Sequence, residues 1–380
     1  MRLPLQDILV LDFSQFLAAP TTALRLQDLG ARVIKIEEPV DGDIARKKLV
    51  LHDQFIEDVS VCFNVINRGK ESIALNLKDK DDLSAVKKLI SKADVIIHNF
   101  RPGVMDKFGL DYESVKLLNP RVVYGWISAY GLSEKYKDRP LVDIIAQAVS
   151  GINTVSGVKG SVPINVGIPL TDMMASVQLA FGITSLLLRR EVTGEGGFIH
   201  TSLLESAFDM QYDVLSAFLY SGEDELPKSS MVESIHSQVA APAGTYKTSD
   251  GFITIAMYPV KKFFDILGIK DGDRYDNPSD WFKKRDEIIS IISSVLISKP
   301  SAFWIEIFEE NDVWAVECNT YKDIMRKNIL SDIDMIFKIE GLDIDSIRTP
   351  ITIDYKKNTA SFRAPKLGEH SEKIRNEFSL

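Results

Sequence analysis

The sequence predicts an α/β protein: a large, mostly parallel sheet with helices on both faces, followed by a smaller α+β domain. Two observations predict it. Over the first two hundred residues, short apolar runs alternate with segments whose apolar residues recur at helical spacing, the pattern of successive strand–helix units. Beyond Leu203 that alternation gives way to a polar connector, a hairpin signal and a mostly helical stretch.

The elements follow in order. Residues 8–13 (ILVLDF) form an apolar buried strand, and a helical segment over 21–29 ends at Gly30. Residues 32–37 (RVIKIE) make the next strand, and 73–77 (IALNL) another after a longer insertion. Residues 81–93 are helical, with Leu83, Val86, Leu89 and Ile90 on one face. Strand 94–100 (DVIIHNF), short helix 112–118, strand 121–130 (RVVYGWISAY) and apolar helix 142–149 come next. A long helix then opens after Pro169. It closes with Arg189 and Arg190 in its last turns and Gly194 just beyond, which are stop signals, and strand 197–202 follows. Residues 221–239 read as a connector. Strands over 245–247 and 252–257 flank the turn Ser249–Asp250–Gly251, 281–310 is mostly helical, and 349–355 (TPITIDY) is a last strand. The resulting layout is a Rossmann-like large domain over 1–205, completed by 325–380, a linker over 206–234, and a small domain over 235–320.

Composition narrows the function. The 380 residues are 45% hydrophobic and 26% charged, ordinary for a globular protein. A net charge of −9 argues against a nucleic-acid surface. Cys62 and Cys318 match no zinc or redox spacing and fit a reducing cytoplasm. No two of His52, His98, His200, His236 and His370 share a metal-ligand spacing. No segment reads as a membrane span or a secretory signal.

Chemistry is expected beyond the carboxyl ends of the strands, where such sheets bind ligands. The first strand leads into SQFLAAPTTALRLQDLG, with no glycine before Gly30, so neither a dinucleotide fingerprint nor a phosphate loop is present. Cations gather at strand ends instead: Lys78, then Arg101 and Lys107, then Lys135, Lys137 and Arg139. Such groups hold phosphates. Asn99, Phe100 and Phe108 interleave with them and suit a flat ring. Ser14, Ser128 and Ser202 lie near strand ends but lack a nucleophile-elbow frame or an evident histidine partner. Asp172 sits alone in the first turn of the long helix. It is either a helix cap or an anion held ready for nucleophilic catalysis, since helix N–H groups and the helix dipole favour the carboxylate.

Seven stretches in this order resemble the family III CoA-transferases across nearly the whole chain: VLDFSQFLAAP, LGARVIKIEEPVDGDIAR, NRGKESIALNLK, ADVIIHNFRPGVMDKFGLDYESV, LNPRVVYGWISAYG, the Asp172 segment with its TGEGG close, and APKLGEH. The resemblance implies that Asp172 is the nucleophile, forming an acyl anhydride and then an aspartyl-CoA thioester before CoA passes to a free carboxylic acid. It carries CoA contacts onto Phe16, Leu75, Lys78, Asn99, Phe100, Lys107 and Phe108, with Gln15 and Arg101 as neighbouring candidates. CoA is then a substrate, with no tightly bound cofactor. An interlocked homodimer is also implied, along with two departures. Glu38 stands where formyl-CoA transferase carries a CoA-binding arginine, leaving Arg46 or another cation to substitute. Leu17 replaces a substrate-positioning glutamine, which suggests a larger or less polar acyl group than formyl. Three alternatives are weighed, of which a nicotinamide-dependent oxidoreductase is opposed by the missing glycine motif. In the related α-methylacyl-CoA racemases a catalytic histidine would fall on Val142, beside Asp143, and valine moves no proton. A non-catalytic CoA-binding protein is the third, which an intact Asp172 argues against.

Overall fold

The computed structural model describes residues 2–47 and 54–380, so His52 lies outside the described residues. Up to residue 210 the chain forms β1 (Leu9–Asp12), α1 (Ala18–Asp28), β2 (Arg32–Glu37), β3 (Phe55–Ile56), β4 (Val59–Ser60), α2 (Val61–Ile66), β5 (Glu71–Ala74), α3 (Lys80–Ile90), β6 (Val95–His98), α4 (Tyr112–Leu118), β7 (Val123–Ser128), α5 (Asp143–Val149), α6 (Leu170–Thr193), β8 (Gly197–Ser202) and α7 (Leu203–Asp209). It continues through α8 (Tyr212–Ser221), β9 (Gly244–Lys247), β10 (Phe252–Ile255), α9 (Val260–Leu267), α10 (Pro278–Lys283), α11 (Arg285–Leu296), α12 (Ser301–Glu310), β11 (Ala315–Glu317), α13 (Tyr321–Arg326), α14 (Ile329–Asp332), β12 (Ile336–Lys338), β13 (Asp345–Ile347) and α15 (Ser371–Phe378).

Two compact units result. The first comprises Met1–Gln147, Ile168–Met210 and Leu330–Leu380; the second, Ala148–Gly167 and Gln211–Ile329. The stretch 148–167, read from sequence as part of the large domain, therefore groups with the later residues. The stretch 206–234, read as a linker, contains helix α8; only after Ser221 does it run without helix or strand.

The first unit is built on six strands in the order β5-β2-β1-β6-β7-β8, all parallel. Parallel strands are buried on both faces, which is why runs such as VIIH and LVLD are almost continuously apolar. Alternation sorts their side chains. Val10, Val95, Ile97 and Val123 join α1 and α6 in one core, while Leu11, Ile96 and Tyr124 join α3, α4 and α15 in the other. Helix α6 ends as its sequence requires, with Gly194 left-handed at φ 76° and its N–H on the Arg190 carbonyl at 2.8 Å. Gly196 is needed beside it, because an added Cβ would lie 2.0 Å from the Val122 carbonyl oxygen. Length and composition make α6 apolar enough to cross a membrane, contrary to the sequence expectation, yet Ala175, Leu179, Ile183 and Leu187 pack it into the core.

In the second unit, β11-β10-β9 form an antiparallel sheet whose Tyr246, Ile253 and Ile255 pack on α9, α11 and α12. The hairpin expected around Ser249–Asp250–Gly251 is β9–β10. The last strand expected over 349–355 does not form. Pro350 offers no N–H, and Asp354 and Tyr355 are left-handed (φ 47° and 64°), turning the chain after a single bridge between Ile353 and Lys356. β12 and β13, which lie with 349–355 in the first unit, pair instead.

Candidate active site

The carboxyl edge of the sheet is held by a buried charge network. Asp12, Asp43 and Glu37 face Lys35, Lys70 and Arg46, all six at most 5% exposed. Lys35 Nζ lies 2.8 Å from Asp43 and 3.9 Å from Asp12, and Lys70 Nζ donates to Asp12 at 2.8 Å. Arg46 grips Glu37 through two bonds of 2.8 and 2.7 Å and lies over the Phe63 ring. Burial opposes charge on Lys35, but Asp12, Asp43 and Glu37 outweigh it and hold the ammonium above its usual range. Burial pushes Lys70 down to about 8 despite Asp12, with Lys35 adding to the fall. Asp12 stays low because Lys35 and Lys70 outweigh its burial.

This network fastens the turn after β1, one backbone group at a time. Ser14 N–H donates to Asp12 at 3.0 Å, and the Ser14 carbonyl accepts from Lys35 at 2.7 Å. Asn99, following β6, receives the Gln15 N–H at 2.9 Å and donates to the Gln15 carbonyl at 2.8 Å. Phe16 N–H donates to Asp43 at 3.0 Å while its backbone is left-handed, φ 72°, a costly geometry for a bulky residue. Spacing could not reveal these links, since Gln15 and Asn99 stand 84 residues apart. A signal did exist: Lys35 is a cation within the strand RVIKIE, and such a residue needs a buried partner.

Asp172 reaches the same edge by topology. Helix α6 feeds the amino end of β8, so its own N-terminus stands beyond the carboxyl ends of the strands. It packs on α1, which starts just after the Gln15–Phe16 turn, with Thr22 Oγ1 donating to the Ser176 carbonyl at 3.2 Å. Asp172 is not the cap of α6. Asp143, in the first turn of α5, does that from a distance, accepting from Thr171 N–H at 2.7 Å and Thr171 Oγ1 at 2.8 Å, and from Gln147 at 2.7 Å. Asp172 is 6% exposed, and among the described residues no hydrogen bond or ion pair engages its carboxylate. Burial, and then the like charge of Asp143, raise its pKa to about 7.

The other predicted residues sort clearly. Lys78, Arg101 and Lys107 are exposed, at the β5 and β6 ends, and none has a carboxylate partner among the described residues. Phe100 and Phe108 are partly buried against one core cluster, in which Leu75 is only 2% exposed. Leu75 therefore has no side-chain surface to offer a ligand. Arg46 cannot replace the missing arginine, because it is buried and committed to Glu37 and the Pro365 carbonyl. Glu38 caps its own turn, accepting from Val40 and Asp41 N–H at 2.9 Å each. Lys137 pairs with Glu134, and Lys135 and Arg139 lie over Tyr136, so this third cluster is partly spent. Ser128 does have a histidine partner that spacing did not show, His200 Nε2 at 2.8 Å. No group of three His, Cys, Asp or Glu side chains among the described residues is placed to hold a metal.

Comparison with known proteins agrees with this arrangement. The model of CoA-transferase family III matches residues 5–371. Acetyl-CoA:oxalate CoA-transferase of Acetobacter aceti is 30% identical, over 99% of this chain and 96% of its own length. Succinyl-CoA:glutarate CoA-transferase of Mus musculus is 29% identical, over 98% and 86%. The crystal structure of a CAIB/BAIF family protein from Brucella suis superposes with a TM-score of 0.85 at 28% identity, covering both chains in full (100% each).

Proposed function

The chain belongs to CoA-transferase family III and is an enzyme that transfers CoA, and on that premise we propose that Asp172 is the nucleophile that carries CoA from an acyl-CoA to a free carboxylic acid. The observation that carries the reading is the Asp172 carboxylate itself, buried and unengaged at a rigid helix start. In water such an oxygen is blunted by hydration. Here burial has stripped that shell, and among the described residues no hydrogen bond replaces it.

The steps balance without a net proton. The Asp172 carboxylate attacks the thioester carbonyl, and CoA thiolate leaves as an acyl–aspartyl anhydride forms. The thiolate attacks the aspartyl carbonyl, expels the donor acid as its carboxylate and leaves an aspartyl-CoA thioester. An acceptor carboxylate then attacks that thioester, expelling CoA thiolate, and the thiolate attacks the acceptor's carbonyl to release the new acyl-CoA and free Asp172. Lys78, Arg101 and Lys107 are the cations for the CoA phosphates, and Phe16, Phe100 and Phe108 the apolar surfaces beside them. Gln15 and Asn99 shape the turn they border, and Leu75 contributes through its backbone. Leu17, partly buried at the start of α1, suits a donor larger or less polar than formyl-CoA.

A homodimer and a cytoplasmic location complete the reading. Two cysteines with no zinc or redox spacing, Cys62 and Cys318, support a reducing compartment. Helix α6 leaves Val177, Phe181, Leu188 and Val192 45–85% exposed along one stripe, which supports a partner surface.

The test is covalent trapping. The protein is incubated with a panel of acyl-CoAs and acceptors that includes oxalate and glutarate, quenched with hydroxylamine and mapped by peptide mass spectrometry. The expected product is a hydroxamate on Asp172, and Asp172→Ala is expected to abolish exchange while fold and CoA affinity persist. Normal exchange by that variant would sink the mechanism.

A further inference from the structure

Helix α6 begins without the usual means of closing its first turn. Its N-cap is Pro169, which has no capping side chain, and a proline has no N–H to receive a reciprocal bond from the third helical residue, here Asp172. The N–H groups of that turn still need acceptors. Leu170 N–H goes to the Ile168 carbonyl at 2.8 Å. Thr171, the neighbour of Asp172, offers two donors, its N–H and its hydroxyl, which a short carboxylate in the same turn could capture.

Both go instead to one oxygen from another element. Asp143 Oδ1 accepts the Thr171 N–H at 2.7 Å and its hydroxyl at 2.8 Å, while Asp143 Oδ2 accepts from Gln147 Nε2 at 2.7 Å. The same Gln147 amide donates to the Ile168 carbonyl at 3.3 Å, so α5 holds the residues that enter α6 as well as its first turn. Thr171 is fully buried, and solvent cannot stand in for Asp143 there.

The other charges near α6 are engaged or distant. On α1, Arg25 Nε reaches Ser176 Oγ at 3.3 Å, one turn beyond Asp172, and Asp28 pairs with Arg68. On α7, Glu205 is held by Ser202 and Asp209 by Gln178. Tyr124 of β7 and His200 of β8 lie on the sheet face away from α6. The ionised groups of α6 itself stand at its far end. Beyond burial, Asp143 is the charge that acts on the Asp172 carboxyl.

We propose that Asp143 is the positioning residue for the nucleophile: by capping α6 from α5 through Thr171, it keeps the Asp172 carboxylate off the backbone and free to meet a thioester. This rests on Asp172 being the nucleophile, and Asp143 acts through Asp172 rather than on substrate.

Asp143→Ala and Asp143→Asn test it. Each is incubated with acetyl-CoA, butyryl-CoA or succinyl-CoA and hydroxylamine, and the rate of hydroxamate formation on Asp172 is followed against donor concentration and pH. Alanine removes the cap, and the released Thr171 donors are expected to capture Asp172. The expected result is a fall in kcat on the order of ten- to a hundredfold with KM near wild type. Asparagine keeps an oxygen for Thr171 and removes only the like charge. It is expected to recover most of the lost kcat and to bend its pH profile at a lower pH than wild type. A rise in KM without loss of kcat in Asp143→Ala, an equal loss of kcat in both variants, or a wild-type bend in Asp143→Asn would overturn the positioning role while leaving a labelled Asp172 in place. If Asp143→Ala does not fold, the bend of Asp143→Asn decides alone. No label on Asp172 in the wild type would remove the nucleophile, and this proposal with it.

Discussion

Asp172 owes its chemistry to where it sits. An aspartate in a first helical turn is ordinarily a low-pKa cap, but Asp143 has taken the capping role through Thr171, and burial lifts Asp172 from 3.8 to about 7. In the proposed mechanism the reactive form is the anion, so exchange should fall as the proton returns. We expect kcat/KM to climb with pH, bend near 7 and level off above it, while dropping about tenfold per unit below the bend. The same shift has a cost in stability. A carboxyl whose folded-state pKa exceeds its unfolded value weakens the fold progressively as pH rises from about 3.8 toward 7, and fully above that. Asp172→Asn should therefore melt higher than wild type at pH 8 and match it near pH 4, while the proposed mechanism expects it to be inactive. Equal melting temperatures at pH 8 would show that the carboxylate is not held against its burial.

Among elements, the turn between β1 and α1 carries the most constraint. Five successive backbone groups from Ser14 N–H to Phe16 N–H are bonded by side chains from β1, β2, the loop before Ala45 and the end of β6. Asp43 holds two of its own supports there, receiving Phe16 and Ala45 N–H while pairing with Lys35. Removing it leaves Lys35 short of a partner in a dry site. Asp43→Ala is expected to cost about 3 kcal/mol in urea unfolding, the usual result of breaking a buried pair, and to raise KM for acyl-CoA by loosening the Phe16 turn. Asp43→Asn keeps an oxygen for Phe16, so its KM should stay near wild type while it loses much of the same stability. Equal KM in the two variants would detach Asp43 from the turn. The returning segment before α15 belongs to this assembly too: Gly368 N–H donates to Ser72 Oγ, whose hydroxyl donates to Glu37, and the Pro365 carbonyl receives Arg46.

At the scale of the whole molecule, the exposed stripe on α6 should be covered. We expect the protein to elute with twice the 42.6 kDa chain mass in light-scattering chromatography. Charge placed on the stripe, as Phe181→Lys with Leu188→Lys, should yield monomer or insoluble protein. A monomeric wild type would remove the dimer from the reading.

By itself the sequence determined the sheet, its helices and the position of Asp172. Those depend on local periodicity and on stop signals such as Gly194, which act within a few residues. It also marked Lys78, Arg101 and Lys107 as strand-end cations, because strand ends are visible in the pattern. Only the tertiary structure decided what those positions do. That Leu75 is core, that Arg46 is consumed by Glu37, that Asn99 clamps Gln15 and that Ser128 meets His200 are contacts across 9 to 84 residues between separate strand ends. The strand expected over 349–355 failed for a related reason. Its alternation was right, but a strand exists only where a neighbour pairs with it, and no single segment encodes its neighbour. The raised pKa of Asp172 is the clearest case: desolvation and the charge of Asp143 are properties of a packed site, and the same residue in the unfolded chain is an ordinary acid.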